Sequence, residues 1–341
     1  MKPLVSILIP AYNAGEWLSD TIKSALSQTW ERKEIVIVDD GSKDQTLAIA
    51  RQFESEQVRV FTQKNQGAAA TRNQAFAYSK GDYIQWLDAD DLLSPDKIAR
   101  QLEVAEGCGN KRLLISCGWG QFFYRPSQTQ FISTALWNDL SRAEWLTRKM
   151  SLNLHMQTAT WLVSRELTQS AGPWNTKLLG DDDGEYFCRV LLQSEGVRFV
   201  PEARVYYRAS GASSLSYIGR SDSKRKAQWH SMKLHMDYLL SLEDSPRTRA
   251  ACVQYIHTWL VYFYPEAPDL VAEMEQRATQ LGGKLEMPRL PWKFAWIKAL
   301  VGISRARRAQ ILLQRWKWSA SRWCDKALFH LTGGSVSSHT A

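Results

Sequence analysis

The run EIVIVDDGS at residues 34–42 indicates the architecture of the N-terminal part of the chain. Its first five residues form a nearly continuous apolar strand, which is typical of a parallel sheet covered on both faces. Two carboxylates, Asp39 and Asp40, follow the strand, and Gly41 permits a tight turn there. Ligands of such sheets bind beyond the carboxyl ends of the strands, so this stretch also marks the edge of a candidate site.

Strand and helix patterns alternate around this run. Strands are predicted at residues 5–9, 34–38, 58–61 and 82–87, and helices at 16–27, 44–53 and 67–79. Such repeats with short connections predict an α/β fold, with a mostly parallel sheet and helices on both faces. Further strands are predicted at residues 113–117, 158–163 and 197–207. From about residue 216 the pattern becomes helical, with helices predicted at 223–240, 247–262, 269–281 and 292–331.

The composition is that of a globular protein, with 341 residues, 44% hydrophobic and 23% charged. The five cysteines form no C-x-x-C pair, which argues against a disulfide framework or a zinc site and fits a reducing compartment. No segment reaches about 18 apolar residues, the length that would span a bilayer. Residues 4–9 are apolar but too short for a signal peptide. We therefore expect a cytoplasmic protein.

A second acidic stretch, YIQWLDADD at residues 83–91, places three carboxylates at the end of an apolar strand. Such acids repel one another and lose solvation, and a bound divalent cation would offset both costs. Mg²⁺ and similar cations take carboxylate oxygens and often share substrate phosphates. The alternative is a solvated turn that begins the next helix at residues 94–96.

The ends of the first two predicted strands carry further candidate binding residues. Tyr12 follows Pro10 and Ala11, and its ring could stack on a flat base, although a plain turn tyrosine is the alternative. Asp39 or Asp40 can accept a hydrogen bond from a base N–H or a ribose hydroxyl. A helix cap alone would need one aspartate there rather than two.

Two later motifs open helices. Residues 65–73 read NQGAAATRN, and their small side chains would let a phosphate approach the first turn, where Arg72 could add a charged contact. Residues 180–184 read GDDDG. These acids could be an extended helix cap, or they could supply a general base, because crowded carboxylates raise one another's pKa.

These five elements, in this order, resemble the family 2 glycosyltransferases of bacterial type, which have the GT-A fold. The resemblance covers about residues 5–214. It implies a GT-A catalytic domain at residues 1–215, with a nucleotide-binding half at 1–100 and an acceptor half at 101–215. Residues 216–341 would form a helical C-terminal region that includes a basic, tryptophan-rich tail at 291–331.

The resemblance also implies roles for the donor-binding residues. Pro10, Ala11 and Tyr12 would line the nucleotide base. Asp40 would contact the base edge with Asp39 beside it. Arg72 would lie near the base or the diphosphate. The donor would be a nucleotide-diphosphate sugar, with UDP as the expected nucleotide.

The metal and the general base follow from the same resemblance. Asp88 and Asp90 correspond to the Asp-x-Asp motif, with Asp90 as the direct ligand of Mn²⁺ or Mg²⁺ and Asp88 beside it. Asp182 and Asp183 stand where the family usually has Glu-Asp, so Asp183 would be the catalytic base of an inverting transfer. Because Asp181 adds a third aspartate, the alignment with the family's Glu-Asp pair is open by one residue.

The tail at residues 291–331 is read from its residues alone. It carries nine of the 43 Lys and Arg residues and one of the 35 acids, so residues 1–290 have no net charge. Cationic helices with tryptophan on the apolar face suit an anionic membrane surface. The alternatives are a helical cap with a solvated basic face and a nucleic-acid-binding segment. We expect no nucleic acid, because the rest of the chain is neutral.

The leading interpretation is an inverting, metal-dependent sugar transferase in cell-surface polysaccharide or glycolipid synthesis. Its acceptor would be a saccharide or a lipid-linked saccharide, at the inner face of the cytoplasmic membrane. His155, Trp161 and Trp174 could contact sugars or lie in the core. One alternative is a nucleotidyltransferase, which usually opens with a Gly-rich loop bearing Arg and Lys. Another is a catalytically silent module that binds nucleotide sugars, which would typically lack the metal or base acids.

Overall fold

The computed structural model describes residues 2–209, 221–286 and 302–331. In its first part strands and helices alternate, as the sequence predicts. The elements are β1 (Val5–Ala11), α1 (Leu18–Leu26), β2 (Lys33–Asp39), α2 (Thr46–Arg51), β3 (Val58–Thr62), α3 (Ala68–Tyr78) and β4 (Tyr83–Trp86).

The main sheet has the strand order β3-β2-β1-β4-β8, where β8 is the short strand Val163–Ser164. All neighbours are parallel except β4 and β8. Ile35 and Ile37 pack into one hydrophobic core and Val36 and Val38 into another. Because β2 is buried on both faces, its apolar run does not alternate with polar residues.

The first strand extends further than its sequence predicts. We expect it to end before Pro10, but Pro10 and Ala11 pair with Val38 and Asp39 of β2. Strand β4 pairs with β1 only as far as Leu8. Pro10 therefore has a neighbouring strand on one side only, where a residue without an N–H is tolerated.

A second sheet has the order β5-β9-β6-β7. Its strands are β5 (Leu92–Leu93), β6 (Leu114–Phe122), β7 (Gln130–Phe131) and β9 (Val197–Arg208). The strand predicted at residues 158–163 is wrong in its first part, because Thr158–Thr160 form a 3₁₀ turn, and only Val163 of that stretch lies in a strand, β8. The Gln157 side chain accepts from Ala159 N at 2.6 Å and the Thr160 hydroxyl donates to Gln157 O at 2.6 Å, so polar side chains satisfy a turn there.

Helices cover both sheets and continue into the C-terminal region. They are α4 (Lys97–Cys108), α5 (Arg142–Ser151), α6 (Arg165–Ala171), α7 (Asp182–Gln193), α8 (Asp222–Leu242), α9 (Pro246–Trp259) and α10 (Pro268–Gln280). One hydrophobic core runs from Leu8 of β1 through Trp161 to Met236 of α8 and Met274 of α10. The helical region thus shares its core with the α/β part.

The last helix, α11 (Ile303–Leu331), is joined to the rest of the protein through Asp325. The Asp325 carboxylate accepts from Tyr124 N at 2.9 Å and Arg125 N at 3.3 Å, and it pairs with Arg125 Nε at 2.6 Å. Residues 292–301 of the helix predicted at 292–331 lie outside the described residues. Among the residues described, no helix is both long and apolar enough to cross a bilayer.

Candidate active site

The carboxyl ends of β1 and β2 form one side of the candidate site, and their following loops are tied together. Asn13 N donates to Ser42 Oγ at 2.9 Å, and Lys43 N donates to the Asn13 side chain at 2.9 Å. Ala11 O accepts from Asp40 N at 2.8 Å. Tyr12 extends beyond the strand with 48% of its surface exposed, so its ring is available to a ligand.

The two acids after β2 have different environments although both are buried. Asp40 holds the loop before α3, because its oxygens accept from Gln63 Nε2, Gln66 N and Gly67 N at 2.8, 2.9 and 2.8 Å. Asp39 Oδ2 accepts from Ser42 N at 3.3 Å and Thr62 Oγ1 at 3.1 Å. Asp39 Oδ1 is buried without a hydrogen-bond partner among the described residues. The carboxylate oxygen without a partner in this loop therefore belongs to Asp39 and not to Asp40.

Helix α3 begins at an open surface. Gly67 has φ 90°, and a Cβ placed there would meet no atom within 4 Å. The N–H groups at the start of a helix favour anions, so this space suits a phosphate.

Arg72 of α3 connects the two acidic motifs. Its guanidinium pairs with Asp88 at 2.8 Å and with Asp182 at 2.9 Å, and it lies 4.5 Å from the ring centroid of Trp174. Burial opposes its charge, but Asp88 and then Asp182 raise the pKa of Arg72 above its usual value. The acids after β4 and the acids that open α7 are therefore brought to one place.

The acids that follow β4 differ in how far they are buried. Asp88 is partly exposed beside Arg72. Asp91 is fully buried and accepts from Gln157 Nε2 and from Arg208 N at 2.8 Å, so it supports the fold. Burial, followed by the Asp90 and Asp88 carboxylates, raises the pKa of Asp91 well above its usual value.

The acids after β4 supply the type of oxygen ligand that a divalent cation takes. Burial raises the pKa of the nearby Tyr207, and so do the carboxylates of Asp91, Asp90, Asp88 and Asp183. These four carboxylates thus lie close enough together to act on one hydroxyl group. Oxygen ligands on crowded carboxylates are the type that Mg²⁺ and Mn²⁺ prefer. No group of three or more His, Cys, Asp or Glu side chains in metal-binding geometry is formed within the described ranges.

The three acids at the start of α7 have different surroundings. Asp181 accepts from Ser231 Oγ at 2.8 Å, and Asp182 pairs with Arg72. Asp183 forms no ion pair with any described residue. Burial, followed by the Asp181 carboxylate, raises its pKa above the usual value of an aspartate. Asp183 therefore combines a raised pKa with the lack of an ion-pair partner among the described residues, whereas Asp182 is paired with Arg72.

Sequence reasoning missed Arg208, which is almost fully buried at the end of β9. Its Nε donates to Asp90 O at 2.9 Å, and its guanidinium lies 4.2 Å from the ring centroid of Trp17. Trp161 and Trp174, considered as sugar contacts, are buried in the core. His155 is exposed, and its ring lies 5.0 Å from that of Trp119.

A protein-family model described as "Glycosyl transferase family 2" matches residues 6–166. The putative teichuronic acid biosynthesis glycosyltransferase TuaG of Bacillus subtilis is 43% identical over 105 residues, which cover 30% of this chain and 42% of TuaG. An uncharacterised glycosyltransferase of Rickettsia typhi is 37% identical over 135 residues, 37% of this chain and 42% of that protein. Chondroitin synthase of Escherichia coli is 44% identical over 98 residues, 28% of this chain and 14% of the synthase. The chain thus spans less than half of the length of these relatives.

Solved structures share the fold at low sequence identity. S. aureus TarS 1–349 in complex with UDP-GlcNAc superposes with a TM-score of 0.64 at 14% identity, covering 81% of each chain. The mannosyltransferase PcManGT from Pyrobaculum calidifontis, in complex with GDP-Man and Mn²⁺, superposes with a TM-score of 0.54 at 17% identity. That match covers 97% of this chain and 88% of PcManGT. The predicted GT-A fold is confirmed.

Proposed function

Because residues 6–166 match the model of glycosyl transferase family 2, we propose that this chain transfers a sugar from a nucleotide-diphosphate sugar to an acceptor hydroxyl. The observation that carries the proposal is Arg72, which joins the acids after β4 to the acids that open α7. A donor-binding motif and a candidate base thereby face one space. The structures of relatives bound to UDP-GlcNAc and GDP-Man support a nucleotide sugar, and we favour UDP.

The nucleotide base would be bound at the ends of β1 and β2. Pro10 and Ala11 line its edge, and the exposed ring of Tyr12 stacks on it. Asp39 rather than Asp40 accepts the base N–H, because both Asp40 oxygens already serve the loop before α3. The diphosphate would lie over the start of α3.

A divalent cation, Mn²⁺ or Mg²⁺, would be held by Asp90 with Asp88 beside it and would stabilise the negative charge of the leaving diphosphate. The structure of PcManGT, which has the same fold, contains Mn²⁺ together with GDP-Man, and this supports the choice of metal. Arg72 keeps the Asp88 carboxylate in place and neutralises part of the acidic cluster. Arg208 holds the backbone of the same turn through Asp90 O.

The chemical step would be a direct displacement with inversion. The Asp183 carboxylate removes the proton from the acceptor hydroxyl, whose oxygen attacks the anomeric carbon from the face opposite the diphosphate. The bond from the anomeric carbon to the phosphate oxygen breaks, and an α-linked donor gives a β-linked product. Asp182 is not free for this role because Arg72 binds it.

The acceptor would enter between the two sheets in the half formed by residues 101–215. Trp119, His155 and Tyr207 form an aromatic group there, with ring centroids 5.0 and 5.8 Å apart. Sugar rings pack well on such surfaces. The names of TuaG and chondroitin synthase support a saccharide acceptor and cell-surface polysaccharide synthesis. The division of the chain at residue 215 stays a proposal.

We also propose that α11 binds the inner face of the cytoplasmic membrane, so that a lipid-linked saccharide can serve as acceptor. Trp316 and Trp323 of this helix are 69% and 71% exposed. Arg322 and Lys326 of the same helix lie over the ring of Tyr124. This arrangement differs from a cap with a solvated basic face, because part of the basic face packs on the protein.

Thermal-shift measurements with UDP, GDP and their sugars, with and without Mn²⁺ or Mg²⁺, test the donor and metal proposals. We expect metal-dependent stabilisation by a nucleoside diphosphate in the native protein and in Asp244→Asn, which alters an exposed acid. Asp90→Asn should lose the metal dependence. A silent binding module would bind the donor without releasing the nucleotide. A nucleotidyltransferase would instead form nucleotide sugar from a sugar phosphate.

A further inference from the structure

Asp181 occupies the N-cap position of α7 but does not cap that helix. Its backbone is left-handed, with φ 55°, and its side chain accepts no capping hydrogen bond. The carboxylate instead accepts from Ser231 Oγ at 2.8 Å and Gln228 Nε2 at 3.2 Å, both on α8. An aspartate at this position ordinarily binds the free N–H groups of its own helix. Asp181 therefore joins the start of α7 to α8 in the C-terminal region.

The contact continues into the protein as a chain of buried polar groups. His235 Nε2 lies 3.4 Å from Ser231 Oγ and 3.9 Å from Asp181 Oδ2, and His235 Nδ1 lies 3.3 Å from the Tyr255 hydroxyl of α9. Burial, followed by Lys149, lowers the pKa of His235 well below its usual value, so the imidazole is neutral. Buried networks of this kind hold their members in a fixed geometry when every group is satisfied.

Gly184 makes this arrangement possible at the other end of the acidic segment. A Cβ at Gly184 would lie 2.1 Å from Asp181 Oδ1 and 3.2 Å from His235 Cε1. Only glycine therefore lets the Asp181 carboxylate fold over the first turn of α7. Asp182 and Asp183 lie between these two fixed residues, and Arg72 binds Asp182. The position of the Asp183 carboxylate thus depends on α8.

We propose that Ser231 and His235 are positioning residues for the Asp183 carboxylate, so that the helical C-terminal region completes the active site. This inference rests on the proposed function, in which Asp183 is the general base. Both residues act through Asp181 and are buried behind the acidic segment. A general base must stay within hydrogen-bond reach of the proton it removes, and a shift of about 1 Å can cost about 100-fold in rate.

The test compares Ser231→Ala and His235→Gln with Tyr238→Phe in the full chain. Tyr238 also joins α8 to α7, since its hydroxyl donates to Glu185 at 2.8 Å, but among the described residues it forms no hydrogen bond with Asp181. We measure the release of UDP from UDP-N-acetylglucosamine with Mn²⁺. Ser231→Ala and His235→Gln should lower kcat by about 10- to 100-fold with KM unchanged. Tyr238→Phe should keep the native kcat, and Ser231→Thr, which retains the hydroxyl, should restore most of it.

A second measurement needs no turnover. The ¹³C carboxyl resonance of Asp183, assigned by its absence in Asp183→Asn, is titrated with pH. Its midpoint should move in Ser231→Ala and stay unchanged in Tyr238→Phe, because only the first change releases Asp181. An unchanged midpoint, or equal kcat values for Ser231→Ala and Tyr238→Phe, would overturn the positioning role. Full turnover in Asp183→Asn would instead overturn the proposed function, so the two failures are distinguishable.

Discussion

Single side chains in the acidic cluster differ in their partners, and the roles that we propose for them rest on these differences. Asp91 and Asp40 satisfy buried backbone groups, Asp88 and Asp182 bind Arg72, and Asp183 has no such partner among the described residues. The raised pKa of Asp183 follows from burial and from Asp181. A buried acid with a raised pKa lowers the stability of the fold at neutral pH but is suited to proton transfer.

The first prediction concerns the turnover of Asp183→Asn. We expect donor binding to stay nearly intact and turnover to fall by about 10²–10⁴-fold, which is the usual contribution of a general base. Steady-state kinetics and UDP binding by calorimetry measure the two quantities separately. Asp244→Asn, at an exposed ion pair with Arg249, serves as the control. Normal turnover in Asp183→Asn would contradict the assignment.

The second prediction concerns the stability of the same variant. Because folding raises the pKa of Asp183, its stabilising contribution is present at low pH and is lost as pH rises through the raised pKa. The asparagine in Asp183→Asn does not ionise, so the variant does not lose this stability as the pH rises. The variant should therefore melt at the native temperature near pH 3 and above it near pH 7, a range that brackets the usual aspartate pKa of about 3.9. Melting curves at both pH values check this, and a lower melting temperature at pH 7 would refute it.

At the scale of elements, the loop between β3 and α3 depends on Asp40. Removing its carboxylate leaves Gln66 N and Gly67 N without their acceptor and takes away one of the two acceptors of the Gln63 amide, which should cost about 1–3 kcal/mol. The third prediction is therefore that Asp40→Ala lowers the free energy of unfolding more than Asp39→Ala does. Asp39→Ala should weaken UDP binding more, because its free oxygen is lost. Urea unfolding and calorimetry separate the effects, and the reverse order would show that Asp40 contacts the base.

The sequence predicts most of the strands, and the sheet edge at which three of the candidate acids lie, for a physical reason. Asp39, Asp40 and Asp88 stand next to their strands in the chain, so local patterns suffice to place them at one sheet edge. Pro10 and residues 158–160 depart from their predicted structure, because strand β2 and the Gln157 side chain override local propensity. Arg208 lies 117 residues from Asp91, and the contact of Ser231 with Asp181 spans 50 residues. No local pattern indicates such contacts, which arise only when the core forms.

The whole molecule combines a neutral body with a basic tail, and the fourth prediction concerns that tail. Trp316→Ser with Trp323→Ser should weaken binding to vesicles containing phosphatidylglycerol by tenfold or more. Burying one large apolar side chain contributes about 1.5–3 kcal/mol, and about 1.4 kcal/mol is tenfold in a binding constant. Vesicle co-sedimentation at low salt measures this effect. Tyr262→Ser, at another exposed aromatic residue, should leave binding unchanged. Equal binding by both variants would contradict the proposed membrane surface.

The bond between Asp325 and residues 124–125 fixes the rotation of α11 about its own axis. Trp316 and Trp323 stand about 180° and 160° around the helix from Asp325, given 3.6 residues per turn. A bilayer that receives these rings would therefore hold the enzyme at one height and one tilt. The reacting hydroxyl of a lipid-linked acceptor would then have to reach a constant distance above the membrane. The length of the acceptor, as well as its chemistry, would decide which saccharide is extended.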